Sequence, residues 1–194
     1  MRREASGERP GYARGWIVVT LVAVLVGVIV FQRWQMTHHP LLTLRVGEHL
    51  PAVDLASLAG APVRIDWNSA QSGSLVYVFS PDCAWCGRNL ASVRALARAH
   101  AGRRFIGLSL SRESLEAYVT EHALDFPVYA SPGPGVITAL KLSATPETIL
   151  VSNRGIVERV WLGAYTGKIR TEINNAFGVD LPALSEGSLD ERHY

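Results

Sequence analysis

The chain reads as an α/β domain with a partly parallel sheet, preceded by one membrane-length helix, and three observations predict this. Leu75 to Phe79 (LVYVF) is an unbroken apolar run of branched and aromatic residues, as expected of a strand buried on both faces. The segment after it switches to helical spacing, and strand and helix patterns then alternate, which implies some parallel pairing. Near the N-terminus, Trp16 to Phe31 is a run of sixteen residues in which Thr20 is the only polar side chain. With 194 residues, one domain fits and two full domains do not. A composition of 48% apolar and 19% charged residues excludes a wholly disordered, collagenous or coiled-coil protein.

The elements follow in order. Extended to Trp34, the apolar run covers roughly 28 Å as a helix, close to a hydrocarbon core about 30 Å thick. It has a tryptophan at each end and no amphipathic stripe, which favours a membrane span over a buried core helix. Gln32 to Met36 offers no small-residue cleavage site, so the reading is an uncleaved signal anchor. Arg2, Arg3, Arg9 and Arg14 precede the run, against Arg33 and Arg45 after it, and this bias keeps the N-terminus cytoplasmic. The expected location is a bacterial inner membrane, crossed once, with the body in the periplasm. Residues 1–36 carry a net charge of +3 and the rest a net of −1. The basic excess is therefore a topology signal, and the body is not a nucleic-acid binder. The expected divisions are a cytoplasmic segment 1–15, an anchor 16–34, a linker 35–45, a domain 46–181 and a polar tail 182–194.

Within the domain, Leu55 to Asp66 holds a Gly60-Ala61-Pro62 turn between short extended pieces, a hairpin. Leu75 to Phe79 is the central strand. Cys86 to His100 places Leu90, Val93, Leu96 and Ala97 on one helical face and Arg88, Arg94 and Arg98 on the other. Phe105 to Leu110 is a strand, Arg112 to Ala123 a helix opened by Ser111, and Pro127 to Ala130 a short strand. Gly135 to Leu142 forms a short helix. Glu147 to Ser152 and Ile156 to Leu162 are strands around an Asn153-Arg154-Gly155 turn, and Thr166 to Phe177 is the last helix.

The chemistry points to Cys83-Ala84-Trp85-Cys86, placed between the central strand and the amphipathic helix. Two cysteines in the whole chain are too few for a disulfide scaffold or a four-cysteine zinc site. A helix start offers free backbone N–H groups and a positive dipole end, both of which favour a thiolate. Cys83 is expected to be exposed and nucleophilic, and Cys86, one turn on, to point inward and resolve a mixed disulfide. A structural disulfide is the weaker alternative, because so short a loop removes little chain entropy. Inert buried thiols are the other.

VYVFSPDCAWC followed by a helix, with Ser143-Ala144-Thr145-Pro146 leading into Glu147 to Val151, resembles the thioredoxin superfamily. The pattern is most similar to its membrane-anchored, TlpA-like thiol-disulfide oxidoreductases. The resemblance covers roughly residues 46 to 178 and includes Val46 to Pro51 and Phe126-Pro127-Val128. It implies a three-layer α/β/α fold with a mixed sheet and an added N-terminal β-hairpin. It further implies a cis Thr145-Pro146 bond beside the cysteine pair, with the Thr145 backbone free to pair with a partner chain. Trp85 is expected to serve as a partner-facing apolar surface or as packing.

Two positions depart from the family pattern. Thioredoxins carry a buried Asp six residues before the first cysteine, and here that position is Tyr77. TlpA-like reductases often carry a Glu three residues after the second cysteine, and here it is Asn89. Proton transfer from Cys86 is then left to water, Asp82, Tyr77 or Glu147. Asp82 either raises the Cys83 pKa by its charge or caps the helix. The resemblance implies a reductase of extracytoplasmic protein disulfides with no cofactor beyond the Cys83-Cys86 disulfide. A membrane thiol carrier would supply its electrons, and cytochrome c maturation is the pathway suggested by analogy. Two other readings exist. Ser80-x-x-Cys83 resembles a peroxiredoxin motif, but Val76 stands where that family has proline. A copper chaperone of this fold would join both cysteines to a distant histidine, such as His100 or His122, but usually spaces its cysteines by three residues.

Overall fold

The computed structural model describes residues 12–38, 43–99, 102–130 and 133–184. The chain divides into two compact units, Met1–Leu41 and Leu42–Tyr194. In the first, α1 (Tyr12–His38) is a continuous helix whose side chains from residue 16 to 30 are exposed. Among the described residues, no helix is long and apolar enough to cross a membrane. The expected span of 16–34 is therefore not found as a membrane-crossing helix. The side chains of residues 31–34 lie outside those described. Most of the cytoplasmic segment, residues 1–11, also lies outside the described residues.

The second unit begins with a hairpin, β1 (Val53–Ser57) and β2 (Pro62–Ile65), paired antiparallel with Leu55 opposite Val63. There follow β3 (Ser74–Phe79), α2 (Ala84–Ala99), β4 (Arg104–Ser109), α3 (Leu115–Glu121), β5 (Val128–Ala130), α4 (Pro134–Ala139), β6 (Glu147–Val151), β7 (Val157–Leu162) and α5 (Gly167–Phe177). The strands form one mixed sheet in the order β2-β1-β5-β4-β3-β6-β7. Pairing is parallel for β3 with β4 and β4 with β5, because helical crossovers connect them, and antiparallel elsewhere. Every residue of β3 is buried, as its apolar run requires.

Alternation along the strands sorts the core into two faces. Leu75, Tyr77 and Phe79 of β3 pack with Cys86, Val93 and Leu96 of α2, with α3 and with Ile173 of α5. Val76 and Val78 face the other way, against Leu140, Leu142 and the segment that carries Leu44, Leu50 and Trp67. This is a three-layer α/β/α arrangement. Gly107 of β4 is required by a close approach, since a Cβ there would meet the Phe126 ring at 2.9 Å. Gly155 turns β6 into β7 with φ +74°, a conformation glycine adopts without penalty.

The structure defines several boundaries. Leu44, just ahead of the domain's expected start, is buried in the core. Glu48 and Gly47 exchange backbone hydrogen bonds with Val157, which ties the lead-in segment to the start of β7. The start of the tail is also held, by a hydrogen bond from the Ser92 hydroxyl to the Pro182 carbonyl at 2.8 Å; residues 185–194 lie outside the described residues. The helix expected from Arg112 begins at Leu115 instead. Ser111 uses its hydroxyl to accept the Glu113 amide in a local turn, and Ser114 takes φ 57°, so helical geometry starts one turn later. As expected of a helix that starts at the cysteines, α2 begins at Ala84, which leaves Cys83 at the position that caps it.

Candidate active site

The turn from β3 into α2 positions the cysteines. Cys83 is half-buried just before the helix, and Cys86 is 0% exposed in its first turn. They form a disulfide with Cα atoms 5.2 Å apart. The Cys86 amide donates to Cys83 Sγ at 3.2 Å, so the sulfur occupies the place of an N-cap acceptor. The same N–H and the positive end of the helix would face a thiolate at that atom and favour its charge. The capping acceptor is therefore Cys83 itself rather than the exposed Asp82. Cys86, by contrast, packs into the core with Tyr77, Phe79 and Leu90.

A second loop completes the site. The Thr145-Pro146 peptide is cis. Both residues line a pocket of about 240 Å³ together with Trp85, Gly163 and Ala164. Trp85 is 52% exposed and carries the Arg88 guanidinium 4.6 Å above its ring. Its ring is open to solvent and lines the same pocket as the cis proline. On the other side of Cys83, a groove of about 520 Å³ runs between the start of α2 and α3.

Beneath the cysteines lies a set of neutral polar groups. Asn89 Oδ1 accepts the Tyr165 backbone amide at 3.0 Å, and the Thr148 and Tyr165 hydroxyls share a hydrogen bond of 2.8 Å. The Tyr77 hydroxyl lies beside the Asn89 amide; neither it nor Asn89 Nδ2 has a well-formed hydrogen bond. Burial pushes Tyr77 and Tyr165 well above the usual tyrosine range, so both stay neutral. The two positions that depart from the family pattern thus meet in space and form a buried site without a carboxylate.

Glu147, placed among the possible proton acceptors, is directed elsewhere. It follows the cis proline and is 1% exposed, with Oε2 lacking any hydrogen-bond partner. Burial raises its pKa to about 7, while a hydrogen bond from the Ser143 backbone works the other way. By strand alternation its side chain shares the face of Ile149 and Val151, opposite Thr148 and therefore opposite Cys86. Among the described residues, no group of three or more His, Cys, Asp or Glu side chains converges to hold a metal ion. His122 lines the groove beside Cys83, whereas His100 lies outside the described residues.

The sheet order, the cysteine turn and the cis proline loop together define the thioredoxin fold. Solved structures agree. The thioredoxin domain of a thiol-disulfide oxidoreductase from Bacteroides vulgatus matches 70% of this chain and 99% of its own, with TM-score 0.58 and 18% identity. A secreted disulfide oxidoreductase of Mycobacterium tuberculosis, homologous to E. coli DsbE, matches 65% of this chain and 94% of its own, with TM-score 0.54 and 16% identity. StoA of Bacillus subtilis matches 64% and 96%, with TM-score 0.53 and 16% identity. No protein-family model and no curated protein matches the chain.

Proposed function

We propose that the protein is a thiol-disulfide oxidoreductase that reduces disulfides of extracytoplasmic proteins through a Cys83/Cys86 dithiol. The observation that carries this reading is the asymmetry of the pair: a partly exposed sulfur accepting a helix N–H, and a fully buried sulfur one turn later. In the forward step the Cys83 thiolate attacks one sulfur of a partner disulfide. An S–S bond forms between the two proteins, and the partner's other sulfur leaves as a thiolate and takes up a proton. Cys86 then loses its proton and attacks Cys83 Sγ, which releases the second partner thiol and leaves the Cys83-Cys86 disulfide. Two electrons have passed to the partner, and another dithiol must restore the pair. The Thr145 backbone offers an extended partner chain a pairing edge next to Trp85.

The apolar run through α1 and the arginines before it support a single-pass anchor with the N-terminus in the cytoplasm and the domain outside. The secreted location of the Mycobacterium tuberculosis neighbour is consistent with an extracytoplasmic site. A membrane-embedded thiol carrier is then the natural electron donor, and cytochrome c maturation a candidate pathway. Added protease should cut the domain in spheroplasts and spare it in inverted inner-membrane vesicles; the reverse pattern would overturn the topology. For the chemistry, Cys86→Ser should accumulate mixed disulfides with partner proteins, Cys83→Ser should not, and each should abolish turnover. A glutathione titration sets the direction of flow: a potential near −270 mV, about that of thioredoxin, marks a reductant, and one near −120 mV an oxidant.

A further inference from the structure

We propose that the groove between α2 and α3 is a binding subsite for a positively charged residue, lysine or arginine, that flanks the reacting cysteine of the partner chain. The proposal rests on the oxidoreductase reading and adds a sequence preference to it. Cys83 itself lines this groove, so a chain joined to its sulfur places its neighbouring residues there. A single residue advances an extended chain by about 3.3 Å, within reach of a long side chain. The open groove has a volume of about 520 Å³, room for a long side chain.

The lining selects the charge. Asp82 stands at the Cys83 end and Glu121 at the α3 end, and no lysine or arginine lines the groove. Asp82 and Glu121 make no ion pair among the described residues. A second, independent feature is Tyr118. It is 8% exposed and lines the same groove, yet its hydroxyl has no hydrogen-bond partner. Its ring is held between Phe79 at 5.6 Å and His122 at 4.4 Å, so the hydroxyl is fixed in place. Burial and the Glu121 charge raise its pKa to about 12, which keeps it neutral with acceptor capacity to spare. A cationic N–H donor would meet two carboxylates above a wall that contains this buried, unpartnered oxygen. Across Cys83, by contrast, the Trp85 side carries the Arg88 guanidinium. The dithiol therefore sits between an acidic flank and a basic one, and the two sides of a partner's cysteine meet opposite charges.

The test uses the reduced full-length chain and short peptides with one cysteine held as a mixed disulfide with thionitrobenzoate. Attack by Cys83 on the peptide sulfur forms the protein–peptide bond and releases coloured thionitrobenzoate. Peptides carry Lys or Glu beside the cysteine, on either side in turn. In one of the two positions the Lys peptide should react about two- to fivefold faster than the Glu peptide, an advantage that shrinks in high salt. Glu121→Gln should bring that ratio toward one and Glu121→Lys should invert it, while Tyr118→Phe should reduce it. Because each ratio is taken within one variant, a general change in thiol reactivity cancels. Equal rates in the unsubstituted protein, or a ratio unmoved by Glu121→Lys, would overturn the subsite and leave the oxidoreductase reading intact. A failure to react with any of the peptides would overturn both.

Discussion

Two buried polar sites lie back to back across the centre of the sheet, and they solve burial in different ways. On the α2 face, Tyr77, Asn89, Thr148 and Tyr165 are all neutral, and hydrogen bonds join Asn89 to the Tyr165 backbone and Thr148 to the Tyr165 hydroxyl. On the α4 face, Glu147 is a single carboxyl with one oxygen unpartnered. The register makes them neighbours: Tyr77 pairs with Thr148, and Val78 with Glu147. Neutral groups pay only for hydrogen bonds left unmade, whereas a carboxyl can also avoid the cost of a buried charge by holding its proton. Tyr77 and Tyr165 on the face that carries the disulfide thus stay neutral near pH 7, while the Glu147 carboxyl on the opposite face is raised into that range.

The largest effect on this contrast should come from Glu147. Its folded pKa of about 7 exceeds the ordinary carboxyl value of 4.5, so the folded state holds a proton that the unfolded chain has lost between those limits. Stability should therefore fall as pH rises from about 4.5 to about 7 and level off above, by as much as roughly 3 kcal/mol. Urea unfolding of Glu147→Gln should show a flatter profile and a gain at pH 8 that is absent at pH 4. An identical pH dependence in both proteins would break the comparison on that face. On the other face, Asn89→Leu leaves the Tyr165 amide without its acceptor and should cost about 1–3 kcal/mol, with the loss equal at pH 5 and pH 8. A loss that varied with pH would show that the α2 face titrates after all. The smallest effect sharpens the picture: Tyr165→Phe removes the bond to Thr148 and should cost about 1 kcal/mol in the same measurement.

The cysteine turn was legible because its determinants are local. An apolar run ending at Phe79, two thiols one helical turn apart and the apolar face of Leu90, Val93 and Leu96 all fall within one strand-to-helix unit. The helix starts at the cysteines as its pattern implies, with Ala84 its first residue. That the Cys83 sulfur serves as the capping acceptor is a side-chain contact that only the structure shows. Tyr77 and Asn89 were visible as departures, but their meeting depends on how α2 lies over β3. Glu147 stood among the possible proton acceptors, and only the strand register shows that it faces away from Cys86. Tyr118 and Glu121 carried no signal at all, because they reach the site through the packing of α3 beside α2.

By itself the sequence determined the seven strands, the core helices to within a few residues, and the dithiol as the one place for thiol chemistry. Those features rest on periodicity, turn residues and spacing, which act over one or two turns of chain. The tertiary structure alone decided which side chains surround the two sulfurs and on which side. Groups contributed by β6, α3 and the segment around Tyr165 are brought together by sheet order and helix packing, and burial there sets whether each is neutral, charged or open to a partner.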